Sequence, residues 1–252
     1  MTATQQGTSM RTPKQHRTFL GEFYGSDVGK KWVMAVTGII FLAYVLVHMI
    51  GNLKIYLGTD AVGVYHIDEY AEWLRTILQP FLPRTVFLWL FRIVVASALV
   101  LHVHAAYSLT VTNWKARGWE GTPVRYRTPR EYLVADYAAR TMRWSGVIIV
   151  LFIAWHLMDL TFGSVNPGFV QGDVFNNIVS SFSRWPVSAF YIVANILLGF
   201  HIYHGAWSLF QSLGWNNTRF NPWRRWFATA FAVVIVIGNV SIPLAVLTHA
   251  VK

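Results

Sequence analysis

Apolar residues in this chain are gathered into five blocks separated by polar segments: Trp32 to Leu53, Val86 to Val111, Trp144 to Phe162, Val187 to Leu213 and Trp226 to Leu247. Each block is near 20 residues long, the length a helix needs to cross a hydrocarbon layer of roughly 30 Å. Trp32, Trp89, Trp144, Trp185, Trp215 and Trp226 sit near block ends, the depth at which amphipathic rings settle among lipid headgroups. The pattern predicts an all-α integral membrane protein with five transmembrane helices and a single membrane domain over residues 31–252, after a polar tail over residues 1–30. The segment from Asp60 to Gln79 has mixed polarity and predicts a short interfacial helix. The segment from Ser164 to Trp185, with Gly and Asn, reads as a loop. Pro123 and Pro129 punctuate the connection between the second and third blocks, and a helix-like run from Arg130 to Arg143 leads into the third. No internal repeat or second domain is apparent.

Charge orients the blocks. Of the 21 Lys and Arg, fifteen fall in the N-terminal tail and in the loops after the second and fourth blocks. Only Lys54, Arg75, Arg84, Arg184 and Lys252 fall on the other side, and Arg92 lies just inside the second block. Basic loops stay on the cytoplasmic side, so the N-terminus is expected inside and the C-terminus outside. This also accounts for the net charge of +10 without nucleic acid, which is not expected as a partner. The first 30 residues lack the apolar stretch of a secretory signal. The chain has no cysteine, so it holds no disulfide and no iron–sulfur cluster on its own thiolates.

Histidine carries the candidate chemistry. Six of the nine histidines lie within the blocks: His48, His102, His104, His156, His201 and His204. Ionisable groups at membrane depth are costly and mark function by default; a single one can serve as an interhelical hydrogen bond, but six in four blocks ask for more. Alternating helix direction sorts them by depth at about 1.5 Å per residue. His48 and His156 fall in the outer half, and the histidines of the second and fourth blocks fall in the inner half. Two neutral imidazoles facing each other at one depth are what a bis-histidine haem requires, and a four-helix core is a known setting for such a group. Within the inner set, His102 and His104 are about 200° apart around a helix and cannot share a cofactor, whereas His201 and His204 share a face. Depth alone slightly favours His204 as the partner of His104. Gly51, Ser108, Gly205 and Ser208 lie near these histidines, and small residues permit close approach of a helix or a planar ligand.

Several runs resemble a known family. Gly29-Lys30-Lys31 before the first block, Val47-His48-Met49-Ile50-Gly51-Asn52, His104-Ala105-Ala106-Tyr107, Ala154-Trp155-His156-Leu157 and Phe200-His201-Ile202-Tyr203-His204-Gly205-Ala206-Trp207-Ser208 are similar to motifs of the single-chain, five-helix, di-haem cytochrome b anchors of bacterial succinate dehydrogenase/fumarate reductase. The resemblance covers the chain from about Ser26 onward. It implies two haems b, one held by His48 and His156 and one by His104 and His201, with His102 and His204 as alternative or supporting ligands. It also implies flavoprotein and iron–sulfur partner subunits on the cytoplasmic face, electron transfer to menaquinone or ubiquinone, and residence in the bacterial inner membrane.

With no large soluble domain, the chain is not expected to oxidise succinate itself, and no catalytic residue is assigned. The aromatic and basic inner loop, with Trp114, Trp119, Tyr126, Tyr132 and Tyr137, suits a docking face. Ser26, Lys31 and Trp32 at the inner mouth are candidate quinone contacts. Two other readings stand beside this one: a cytochrome b subunit of another respiratory dehydrogenase, and a haem-free anchor or transporter, for which Asp159 is the main spanning acid. The surplus histidines also leave room for a different imidazole-ligated metal centre at one site.

Overall fold

The structure, a computed structural model, describes residues 18–116, 137–215 and 217–252. Among these residues it is all-helical, with eight α-helices: α1 (Phe19–Gly25), α2 (Asp27–Asn52), α3 (His66–Thr76), α4 (Val86–Ala116), α5 (Tyr137–Leu160), α6 (Val174–Phe182), α7 (Trp185–Ser212) and α8 (Asn221–Leu247). Five helices are long and apolar enough to cross a membrane, namely α2, α4, α5, α7 and α8, in agreement with the five apolar blocks. The interfacial helix expected between Asp60 and Gln79 is α3. The run from Arg130 to Arg143 lies partly outside the described residues; helix is present from Tyr137 onward.

The 164–185 segment differs from the expected loop, because it contains α6. Its periodicity is too short to stand out in sequence, and its helix is secured by tertiary contacts. Asp173 caps it by accepting from the Asn176 amide at 3.1 Å. Asp68 of α3 accepts from the Val174 and Phe175 amides at 2.6 and 3.2 Å, so two carboxylates satisfy the first amides of one helix. The Tyr65 ring stacks on Phe175. Ile55, Ile67, Phe175, Ile178, Phe182, Ile242 and Val246 bury one another around this joint. The ends of α2, α5 and α8, the start of α7, and the helices α3 and α6 thus form a built cap at one end of the bundle, called here the cap end. The other end carries α1, the start of α2 and the start of α8.

At that other end the chain turns sharply from α1 into α2. Ser26 caps α2 by accepting from the Gly29 amide at 2.9 Å and donates to the Phe23 carbonyl at 2.7 Å. Gly29 lies so close to that carbonyl that a Cβ would overlap it, so the turn requires glycine there. Proline at the first turn of α7 and of α8, Pro186 and Pro222, occupies the helix positions where a missing amide costs nothing.

Helix α2 is the centre of the bundle, packed against α4 on one side and α7 and α8 on another, while α5 packs on α7. Contact between α7 and α8 is extensive, and it depends on small residues. A Cβ on Gly199 would overlap Val236 of α8, and one on Gly238 would overlap Met49 of α2. Small residues at such crossings let backbones approach and gain dispersion contact where lipid supplies no hydrophobic drive. Gly199→Leu is therefore expected to destabilise the bundle by about 1–3 kcal/mol through overpacking, seen as a lowered Tm of the detergent-solubilised protein, with Gly214→Leu a poor comparator because its φ of 82° already demands glycine.

Candidate functional site

The six membrane-depth histidines separate into two groups along the bundle. His48, near the cap end of α2, and His156, near the cap end of α5, approach with ring centres 5.9 Å apart and planes 89° from parallel. Two imidazoles bound to one metal from opposite sides place their centres about 6 Å apart, from two metal–nitrogen bonds of roughly 2 Å and about 1 Å from each nitrogen to its ring centre. The spacing fits that geometry. Tyr44, one turn before His48, stacks on its ring at 5.4 Å, and Phe152 and Tyr191 pack against His156.

In the second group, His201 of α7 lies within electrostatic reach of both His102 and His204. Gly146 of α5 faces the His201 ring, where a side chain would come into contact with it. His102 is half-buried against α2, with Phe41 edge-on to it at 5.5 Å. His104 is turned elsewhere. It is exposed, and its Nδ1 shares a 2.5 Å hydrogen bond with the Tyr24 hydroxyl of α1, the two rings stacked at 5.7 Å. The 200° between His102 and His104 thus sends the first toward α2 and α7 and the second to the tip of α1. His204 packs beside Trp207.

Hydroxyl groups hold three of these rings. The Thr37 hydroxyl lies 2.9 Å from His102 Nδ1 and 2.7 Å from the Val33 carbonyl. The Ser145 hydroxyl lies 3.2 Å from His201 Nδ1 and 3.0 Å from the Met142 carbonyl. The Tyr191 hydroxyl lies 3.4 Å from His156 Nδ1 and 2.9 Å from an Asp159 oxygen. For Tyr191 the competing acceptor is a carboxylate, which takes the hydroxyl's single hydrogen and leaves its oxygen to accept from the ring N–H, whereas Thr37 and Ser145 back-bond to helix carbonyls and can pair with either tautomer of their ring. His156 then carries its hydrogen on Nδ1 and a lone pair on Nε2, while Thr37 and Ser145 hold the orientation of the other two rings. Metal-bound histidines are held in the same way, by an acceptor on the nitrogen away from the metal. Sequence reasoning had no access to these partners: Thr37 and Ser145 are ordinary residues of apolar helices until packing sets them against a ring.

No set of three or more His, Asp or Glu among the described residues converges as a metal cage; the arrangement is one of paired imidazoles. Of the residues expected to meet quinone, Ser26 is engaged as the α2 cap, while Lys31 and Trp32 are exposed at the start of α2. Elsewhere an apolar groove between α2, α7 and α8, lined by Leu42, Leu46, Leu209, Phe210 and Phe231 among others, holds no histidine. Asp159, the main acid of the spans, is fully buried and ion-paired with Arg184 at 2.8 Å, so its charge is compensated within the bundle.

No curated protein and no solved structure matches the chain. Residues 135–240, from the start of α5 through most of α8, match the family model of the succinate dehydrogenase/fumarate reductase transmembrane subunit. That stretch contains His156, His201, the hydroxyls that hold both rings, and the buried Asp159–Arg184 pair. Over residues 135–240 the chain is thus similar to the succinate dehydrogenase/fumarate reductase transmembrane subunit, and the match falls within a multi-pass protein of five spanning helices with paired imidazoles inside them.

Proposed function

We propose that the chain passes electrons between a succinate- or fumarate-converting flavoprotein with its iron–sulfur subunit and a membrane quinone, menaquinone or ubiquinone, through two haems b. One is held by His48 and His156 and the other by His201 with His102. The observation that carries this is the 5.9 Å approach of His48 to His156, together with a hydroxyl set against Nδ1 of three of the imidazoles. The motif resemblance offers His104 in place of His102. The engagement of His104 with Tyr24, and the position of His102 beside Thr37 on the α2 side, favour His102.

Bound haem supplies a one-electron ferric/ferrous couple at each pair. The chain's own residues do the rest. The imidazoles would hold the iron from two helices, so each pair would also tie helices together: α2 to α5, and α4 to α7. Thr37, Ser145 and Tyr191 fix ring orientation. The surrounding apolar side chains exclude water. The distribution of Lys and Arg supports putting the N-terminal end at the cytoplasmic face of a bacterial inner membrane, where the soluble subunits would dock. Lys31 and Trp32 lie at that surface as candidate quinone contacts. The succinate chemistry belongs to the partners, and this chain contributes the quinone side.

The test is a reduced-minus-oxidised visible spectrum and a pyridine-haemochrome assay on the purified complex. Two haems b per chain are expected. A complex without b-type absorption rules the reading out and leaves the paired imidazoles to another metal centre or to packing.

A further inference from the structure

Asp159 is fully buried near the cap end of α5. A carboxylate at such a depth is costly unless its oxygens are satisfied and its charge is paired. Both conditions are met. Arg184 Nη2 donates to Oδ1 at 2.8 Å, the Tyr191 hydroxyl donates to Oδ2 at 2.9 Å, and the Ser181 hydroxyl donates to the same oxygen. Arg184 also donates to the Val165 carbonyl at 2.8 Å, which anchors the segment after α5. Three donors, from α6, from α7 and from Arg184 in the turn between them, thus converge on one acid of α5.

The direction of these bonds fixes more than packing. Tyr191 has one hydroxyl hydrogen, and Asp159 takes it. The lone pair that Tyr191 presents to His156 Nδ1 at 3.4 Å accepts only from an N–H. His156 Nε2 therefore carries the free lone pair on the other side of the ring. We propose that Tyr191, held by Asp159, is the positioning residue of His156: it fixes the tautomer and orientation that aim Nε2 at the site shared with His48, and it transmits the electron-donating influence of the buried carboxylate to that imidazole. Thr37 and Ser145 offer the other pair only hydroxyls bonded to neutral carbonyls. The two sites are thereby made electronically unequal, the one at the cap end having the more strongly donating ligand.

This inference rests on the reading of His48 and His156 as haem ligands, and the experiment separates the two. The purified complex is titrated potentiometrically while the b-type α-band is followed, and low-spin ferric signals are recorded by electron paramagnetic resonance. Tyr191→Phe keeps the ring that packs among Phe152, Phe182 and Phe190 and removes the hydroxyl. Electron donation from a ligand favours ferric iron, so the variant is expected to raise the midpoint potential of one haem, the same one that His48→Ala removes, and to shift its ferric signal. It is also expected to weaken retention of that haem by about 10–100-fold, as loss of an outer partner does for metal-bound histidine. Two unchanged potentials and unchanged signals overturn the proposal even if thermal stability falls, since Tyr191 would then serve packing alone. A shift in the other haem also overturns it. Wild-type complex with no haem overturns the parent reading along with this one; wild-type complex with two haems and an unresponsive variant overturns this one only.

Discussion

Asp159→Ala is expected to lower the stability of the solubilised protein by about 3–5 kcal/mol, the range for removing one partner of a buried ion pair. The loss has three parts. Arg184 keeps its charge in a half-buried position without its counter-ion. The hydroxyls of Ser181 and Tyr191 lose their acceptor inside the bundle, and an unmet buried donor costs about 1–3 kcal/mol. The joint between α5, α6 and α7 loses the group on which it converges. Thermal unfolding in detergent measures the effect. Asp159→Ala combined with Arg184→Ala is expected to cost less than the sum of the two single changes, because the double change removes both charges together. Additive effects would mean that the pair is energetically uncoupled despite its 2.8 Å contact.

The second large effect is on haem content. His48→Ala and His102→Ala are each expected to leave about half of the wild-type b-type absorbance, since each removes one of the two ligands an iron needs. His104→Ala is expected to retain both haems and to loosen only α1, whose Tyr24 it holds. Pyridine-haemochrome assay of the three purified variants gives the answer directly. Loss of a haem in His104→Ala with retention in His102→Ala would reverse the assignment of the second pair in favour of the motif resemblance.

These two cases show how far the sequence can be read. Five apolar blocks of spanning length become five spanning helices because a bilayer tolerates few other ways of satisfying a backbone. Depth follows from counting residues, so the approach of His48 to His156 was legible before any coordinates. Rotation about the helix axis is not legible in the same way. His102 and His104 have nearly the same depth, and only the packing of α4 on α2, with Thr37 against one ring and Tyr24 against the other, separates them. Asp159 shows the same limit in another form. As the main acid of the apolar blocks it has no evident partner in the sequence, because Arg184 lies 25 residues on, in a segment that reads as an outer loop. The α6 helix was illegible for a related reason: its first amides are satisfied partly by Asp68, more than 100 residues earlier.

The central place of α2 has a geometric consequence. It carries His48 itself and, eleven residues earlier, Thr37 against His102, so the two imidazole pairs are indexed to one rigid rod. At 1.5 Å per residue that interval is about 16 Å along the axis. Under the proposed function helix α2 would be a ruler for the gap between the two sites, a gap set by residue count within a single helix and independent of the loops that join the others.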